Sequence, residues 1–120
     1  MNKKFERKLF FYKHSFFEFY DKQSEEVKKK IEWTLNMIRD MQHIPEKFFK
    51  HMEGSDGLFE ISVKVGSNIF RIFSFFDKGN LVIIMNGFQK KSEKTPANEI
   101  ERALWIKKEY ENENKKIKKP

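Results

Sequence analysis

The sequence predicts an α+β domain: an antiparallel sheet of about four strands, two packed N-terminal helices and a C-terminal helix. Two observations carry this. Apolar residues recur at three- and four-residue spacing behind Ser24 and again behind Thr95, whereas from Gly57 onward the period falls to two. Turn residues then interrupt the period-two stretch at Gly66-Ser67 and at Asp77-Lys78-Gly79-Asn80, where hairpins need them. The 120 residues suit one domain, placed at 1–114, with a basic tail at 115–120 expected to fray. Leu, Ile, Val and Phe together number 34, a share well above the ~20% below which charged chains stay disordered. Fourteen of these are phenylalanines, so the predicted core is aromatic.

Residues 3–12 open the chain as a strand, with Phe5, Leu9 and Phe11 on one side and Arg7 as the exception. Ser15-Phe16-Phe17-Glu18 has capping-box spacing and starts a short helix reaching about Lys22, with the Phe16-Phe17-Phe19-Tyr20 cluster read as core. Ser24, followed by Glu25 and Glu26, caps a second helix whose stripe is Val27, Ile31, Leu35, Ile38 and Met41, stopped by Ile44-Pro45.

Next comes Gly57–Val65 as a half-buried strand. A Gly66-Ser67 loop pairs Val65 with Asn68, Val63 with Phe70, Ser62 with Arg71 and Ile61 with Ile72. Phe59, Ile61, Val63, Phe70 and Ile72 then share one face, and Glu60, Ser62, Lys64, Arg71 and Phe73 the other. The second turn pairs Phe76 with Leu81 and sets Asn86 opposite Arg71. Thr95 as N-cap and Pro96 as first helical residue begin the last helix, with Ile100, Ala103 and Leu104 facing inward. Helices are expected on one sheet face, leaving the face with Lys64, Arg71 and Asn86 for a partner.

Composition narrows the function classes. The formal charge of +7 favours a polyanionic partner, although residues 107–120 supply +3 of it. A chain without cysteine has no disulfide, thiolate metal site or cysteine nucleophile, and fits a reducing, cytoplasmic setting. The longest aliphatic run, Leu81 to Met85, falls far short of the ~20 residues of a membrane helix. His14, His43 and His51 lack metal-ligand spacing and read as surface residues, and no phosphate-binding glycine loop, nucleophile elbow or EF-hand loop occurs. Neither metal nor cofactor is implied.

Arg71, within Ile69-Phe70-Arg71-Ile72-Phe73, has two explanations: an ion pair with Glu60 diagonally beside it, or an anion fork aimed at phosphate. The run Gly87-Phe88-Gln89-Lys90-Lys91-Ser92-Glu93-Lys94 leaves a buried strand and turns basic, where ammonium groups meet a phosphate backbone or merely solvent.

Gly57-Leu58-Phe59-Glu60-Ile61, Phe70-Arg71-Ile72, Gly87-Phe88-Gln89-Lys90-Lys91, Lys94-Thr95-Pro96 and Glu99-Ile100 together resemble, in order and spacing, the phage-derived Gp49-like, HigB-type branch of the RelE/ParE toxin superfamily. The resemblance is close over residues 45–110 and an outline over 5–45. It implies a toxin of a type II toxin–antitoxin pair that cleaves messenger RNA in the ribosomal decoding site. Its implied partners are a helix-turn-helix antitoxin, in a toxin–antitoxin hetero-oligomer, and the ribosome with its message. By the same resemblance Arg71, Lys90 and Lys91 are the catalytic positions, Arg71 stabilising charge and the lysines positioning phosphate or moving a proton. Lys64, Lys94, Asn86 and His51 are the expected RNA contacts, with His51 and Lys64 candidates for the unidentified general base.

Two departures from the family pattern matter. Ser62 replaces an arginine and Asn86 a histidine, which favours the alternative of a non-nuclease binder: a gyrase inhibitor of ParE type or an inactive antitoxin-binding relic.

Overall fold

The computed structural model describes residues 5–118, with side chains as far as residue 115. The element order is β1 (Lys8–Phe11), α1 (Ser15–Tyr20), α2 (Glu25–Asp40), β2 (Phe49–His51), β3 (Phe59–Val65), β4 (Asn68–Phe76), β5 (Leu81–Lys90) and α3 (Ala97–Lys118). One five-stranded sheet runs β1-β5-β4-β3-β2. It is mixed, since β1 lies parallel to β5 while every other neighbouring pair is antiparallel. This corrects the expected antiparallel sheet of about four strands. The added strand, β2, has a single buried residue, Phe49, and so no period for the sequence to display.

The expected first strand is paired only over Lys8–Phe11, and residues 3 and 4 lie outside the described range. Arg7 breaks the alternation because its guanidinium closes the carboxyl end of α2. It donates to the carbonyls of Ile38 at 2.9 Å, Met41 at 2.5 Å and Gln42 at 2.9 Å, which the helix itself cannot satisfy.

At the other end of α2, Ser24 caps as expected: its hydroxyl accepts from the Val27 N–H at 3.3 Å. Val27, Ile31, Leu35 and Ile38 are buried, while Met41 is the exposed C-cap. The capping box expected at Ser15 is not formed. His14 holds the N-cap position of α1 without a side-chain bond, and α1 is held instead by burial of Phe16 and Phe19.

The first hairpin has the expected register at every pair, with Gly66 at φ +61 in its turn. The second does not. Phe76 pairs with Val82 rather than Leu81, and between Ile72 and Ser74 a β-bulge sets Met85 and Asn86 against the single residue Phe73. Arg71 therefore faces Phe88, and not Asn86.

The helices divide between the two faces. α1 and α2 cover Ile61, Val63, Phe70, Ile72, Val82 and Ile84. Across the sheet α3 covers Phe73, Phe75, Ile83 and Met85 with Ala103, Ile106 and Tyr110, which corrects the expectation of one bare face. Lys107 ties α3 to the loop before β3 through Asp56 at 3.1 Å, and Tyr110 donates to Asp77 in the β4–β5 turn at 2.6 Å. The helix continues through Lys118, into the segment expected to fray. Among the described residues no helix is long and apolar enough to cross a membrane.

Candidate nucleic-acid interface

α3 leaves one part of its face open, toward the β3–β4 hairpin. Three cross-strand rows meet there. Lys64, Ile69 and Lys90 form the outermost, Ser62, Arg71 and Phe88 the next, and Lys50, Glu60 and Phe73 the innermost, where the helix begins. With strands ~4.8 Å apart, Lys64 and Lys90 flank Ile69 about 10 Å from each other, one row away from Arg71. Four cations thus share the patch with one carboxylate.

The bulge builds this patch. On the turn side of it Val82 and Ile84 point to α1 and α2; an unbroken β5 would send Phe88 and Lys90 the same way. The extra residue reverses the alternation, so that Gly87 packs under Phe19 of α1 while Phe88 and Lys90 join Arg71.

Arg71 is neither free nor sealed. Its side chain is 18% exposed, and its Nε lies 3.8 Å from Oε2 of Glu60, which is 16% exposed. Its terminal nitrogens make no hydrogen bond with the described residues and still reach solvent. Glu60 is held in turn by Thr95, whose hydroxyl donates to the same Oε2 at 2.8 Å. Thr95 is therefore not the helix cap that its position before Pro96 suggested; α3 starts at Ala97, and the hydroxyl joins the β5–α3 connection to the site. The ion pair with Glu60 is formed, through Nε alone.

The other expected residues divide. Lys64 is exposed and Lys90 half-buried on Arg71's face, while Lys91 and Lys94 are exposed in the loop that continues from β5. Asn86, expected among the RNA contacts, is closed off from solvent. It is fully buried beneath α3, its amide donating to the Glu99 carbonyl at 3.4 Å and carboxylate at 3.2 Å. His51 is exposed but lies on the opposite face, its ring edge-on to Phe59, so it is not brought to Arg71. His14 and His43 are also exposed.

One member, Lys50, has no signal in the sequence, and another, Glu60, is expected there only as the ion-pair partner of Arg71. Lys50 comes with β2, which had no readable period. Glu60 is the carboxylate nearest the guanidinium, and its diagonal place beside Arg71 already followed from the hairpin register. Among the described residues, no group of three or more His, Asp or Glu side chains is set to hold a metal ion.

The family described as phage derived protein Gp49-like matches residues 18–108, a span that takes in the end of α1, all of α2, the strands β2 to β5 and the first half of α3. No curated protein matches the sequence significantly.

Proposed function

Because the chain belongs to the phage-derived Gp49-like family, we propose that it is the toxin of a type II toxin–antitoxin pair, a ribosome-dependent endoribonuclease that cuts messenger RNA. The observation that carries this is the exposed row structure around Arg71: a guanidinium with open terminal nitrogens, one carboxylate beside it and ammonium groups on the neighbouring row.

Cleavage of RNA by its own 2′-hydroxyl needs one proton removed, charge on the phosphoryl oxygens neutralised and the leaving 5′-oxygen protonated. Arg71 offers two donors to the phosphate. Glu60 is the acceptor closest to it, and the Thr95 hydroxyl leaves its second oxygen open to take the 2′-hydroxyl proton. Lys90 and Lys91 hold the flanking phosphates or return a proton to the leaving oxygen. The ribosome supplies the in-line geometry, a proximity effect worth up to ~7–11 kcal/mol, so free RNA is cut weakly. A helix-turn-helix antitoxin that covers this patch silences the toxin.

The burial of Asn86 and the uncharged Ser62 favour a second reading, in which the protein binds without cutting, as a gyrase inhibitor or an antitoxin-binding relic. A cell-free translation reaction with mapping of transcript ends separates the two. New 5′ ends in translated message support the nuclease; intact message with inhibited supercoiling rejects it.

A further inference from the structure

On the far side of the β3–β4 hairpin, α2 and the hairpin border a shallow, open cleft of about 450 Å³ whose walls include Trp33, Lys29, Lys30, Lys64 and Gly66, with Glu26 as its one acid. We propose that this cleft holds a nucleotide of single-stranded RNA next to the segment gripped at Arg71, the base on Trp33 and the phosphates on Lys29 and Lys64. The inference rests on the RNA-directed reading above and extends it to the strand outside the cut phosphate.

Trp33 is 50% exposed, an unusual place for the largest side chain on an otherwise amphipathic helix. It is held but not covered. Phe48 meets it edge-on at 5.8 Å, and the Lys30 ammonium lies 4.2 Å from its ring centre, so one face already attracts a cation. A flat ring with ammonium groups around it suits a base joined to phosphate, because each base has a π-face and each linkage a negative charge.

Position gives the second argument. Lys64 lines this cleft and also stands one row from Arg71. β2 pairs with β3 no further than Ile61, so no strand covers the edge at Lys64 and Val65. An RNA strand leaving Arg71 can round this edge without crossing a helix. At Gly66 no side chain narrows the passage, and a Cβ there would meet nothing within 4 Å.

The test uses Trp105→Phe, which leaves Trp33 as the only indole, and a short 2′-O-methyl oligouridine, which cannot be cut at its 2′ position. The oligonucleotide should quench Trp33 fluorescence, and Trp33→Ala should weaken its binding by about 5- to 100-fold. Exposed Lys29, replaced by Gln, tests the same cleft without touching the core and should lower the salt slope by about 0.7. Binding that Arg71→Ala weakens but that neither quenches Trp33 nor responds to Trp33→Ala and Lys29→Gln overturns this inference and leaves the nuclease reading standing. Failure of the wild-type chain both to bind the oligonucleotide and to cut translated message overturns both. Equal quenching by polyglutamate would make the cleft an acidic-protein site and also overturn the inference.

Discussion

The Nε of Arg71 stands 3.8 Å from Oε2 of Glu60, and that same oxygen accepts the Thr95 hydroxyl at 2.8 Å. Three segments thus converge on one carboxylate, while the guanidinium at its side is only loosely held. At 3.8 Å the pair is longer than a hydrogen-bonded ion pair, and the Thr95 hydroxyl still satisfies Glu60 once the guanidinium is gone. Arg71→Ala should therefore abolish growth inhibition with little change in thermal stability. Collapse of the melting temperature would instead make the pair a structural one.

Glu60→Gln keeps the shape and can still accept from Thr95, but it removes the basic oxygen. If Glu60 takes the 2′-hydroxyl proton, transcript cleavage in a translation extract should fall by roughly 10²–10⁴ while RNA association holds. Cleavage at the wild-type rate would dismiss Glu60 as the base.

Replacing Lys90 and Lys91 together with Gln should weaken RNA binding and reduce the salt slope by about 0.7 for each phosphate that is no longer neutralised. Titration of a labelled oligonucleotide at several salt concentrations measures this. An unaltered slope would remove both lysines from the interface.

Gly87 lies directly under the Phe19 ring, and a Cβ there would sit 2.5 Å from the ring's Cδ2. Gly87→Ala should cost about 1–3 kcal/mol through overpacking. Phe19→Leu in the same chain should recover part of it, giving a favourable coupling in a double-mutant cycle by denaturant unfolding. Strict additivity would show that the two positions do not press on one another.

All three tyrosines hold their protons more tightly than free phenol. Burial, with Glu113 close by, pushes Tyr12 up to about 12 from 10; the bond to Glu32, followed by burial, takes Tyr20 to about 12; burial and then Asp77 raise Tyr110. The unfolded chain loses these protons first. Stability present below pH 10 should accordingly fall as the pH climbs to about 12. Tyr12→Phe should flatten that fall in pH-dependent denaturant melts, and an equally steep fall in the variant would deny Tyr12 a part.

The first hairpin was legible because Gly66-Ser67 fixed its turn and both strands alternate, so each pair from Val65–Asn68 to Ile61–Ile72 could be written down. The second defeated the same method. Leu81 to Met85 is apolar throughout, and a strand buried on both sides has no period to show either the shifted turn or the bulge at Met85 and Asn86. That run was itself the signal that α3 would cover the second face. The shifted turn and the bulge each move β5 by one residue, and together they set Phe88 and Lys90 on Arg71's face. Asn86 had the right side of the sheet but not its burial, which depends on Glu99 of a distant helix. For His51 and Lys50 nothing local could reveal a three-residue strand.

The side-by-side course of β1 and β5 also has a consequence for how each copy is made. Lys8–Phe11 leave the ribosome about seventy residues ahead of Leu81–Ile84, to which they bond. The seam between the two cannot close until β5 has been made, and no nascent chain carries a finished sheet before then.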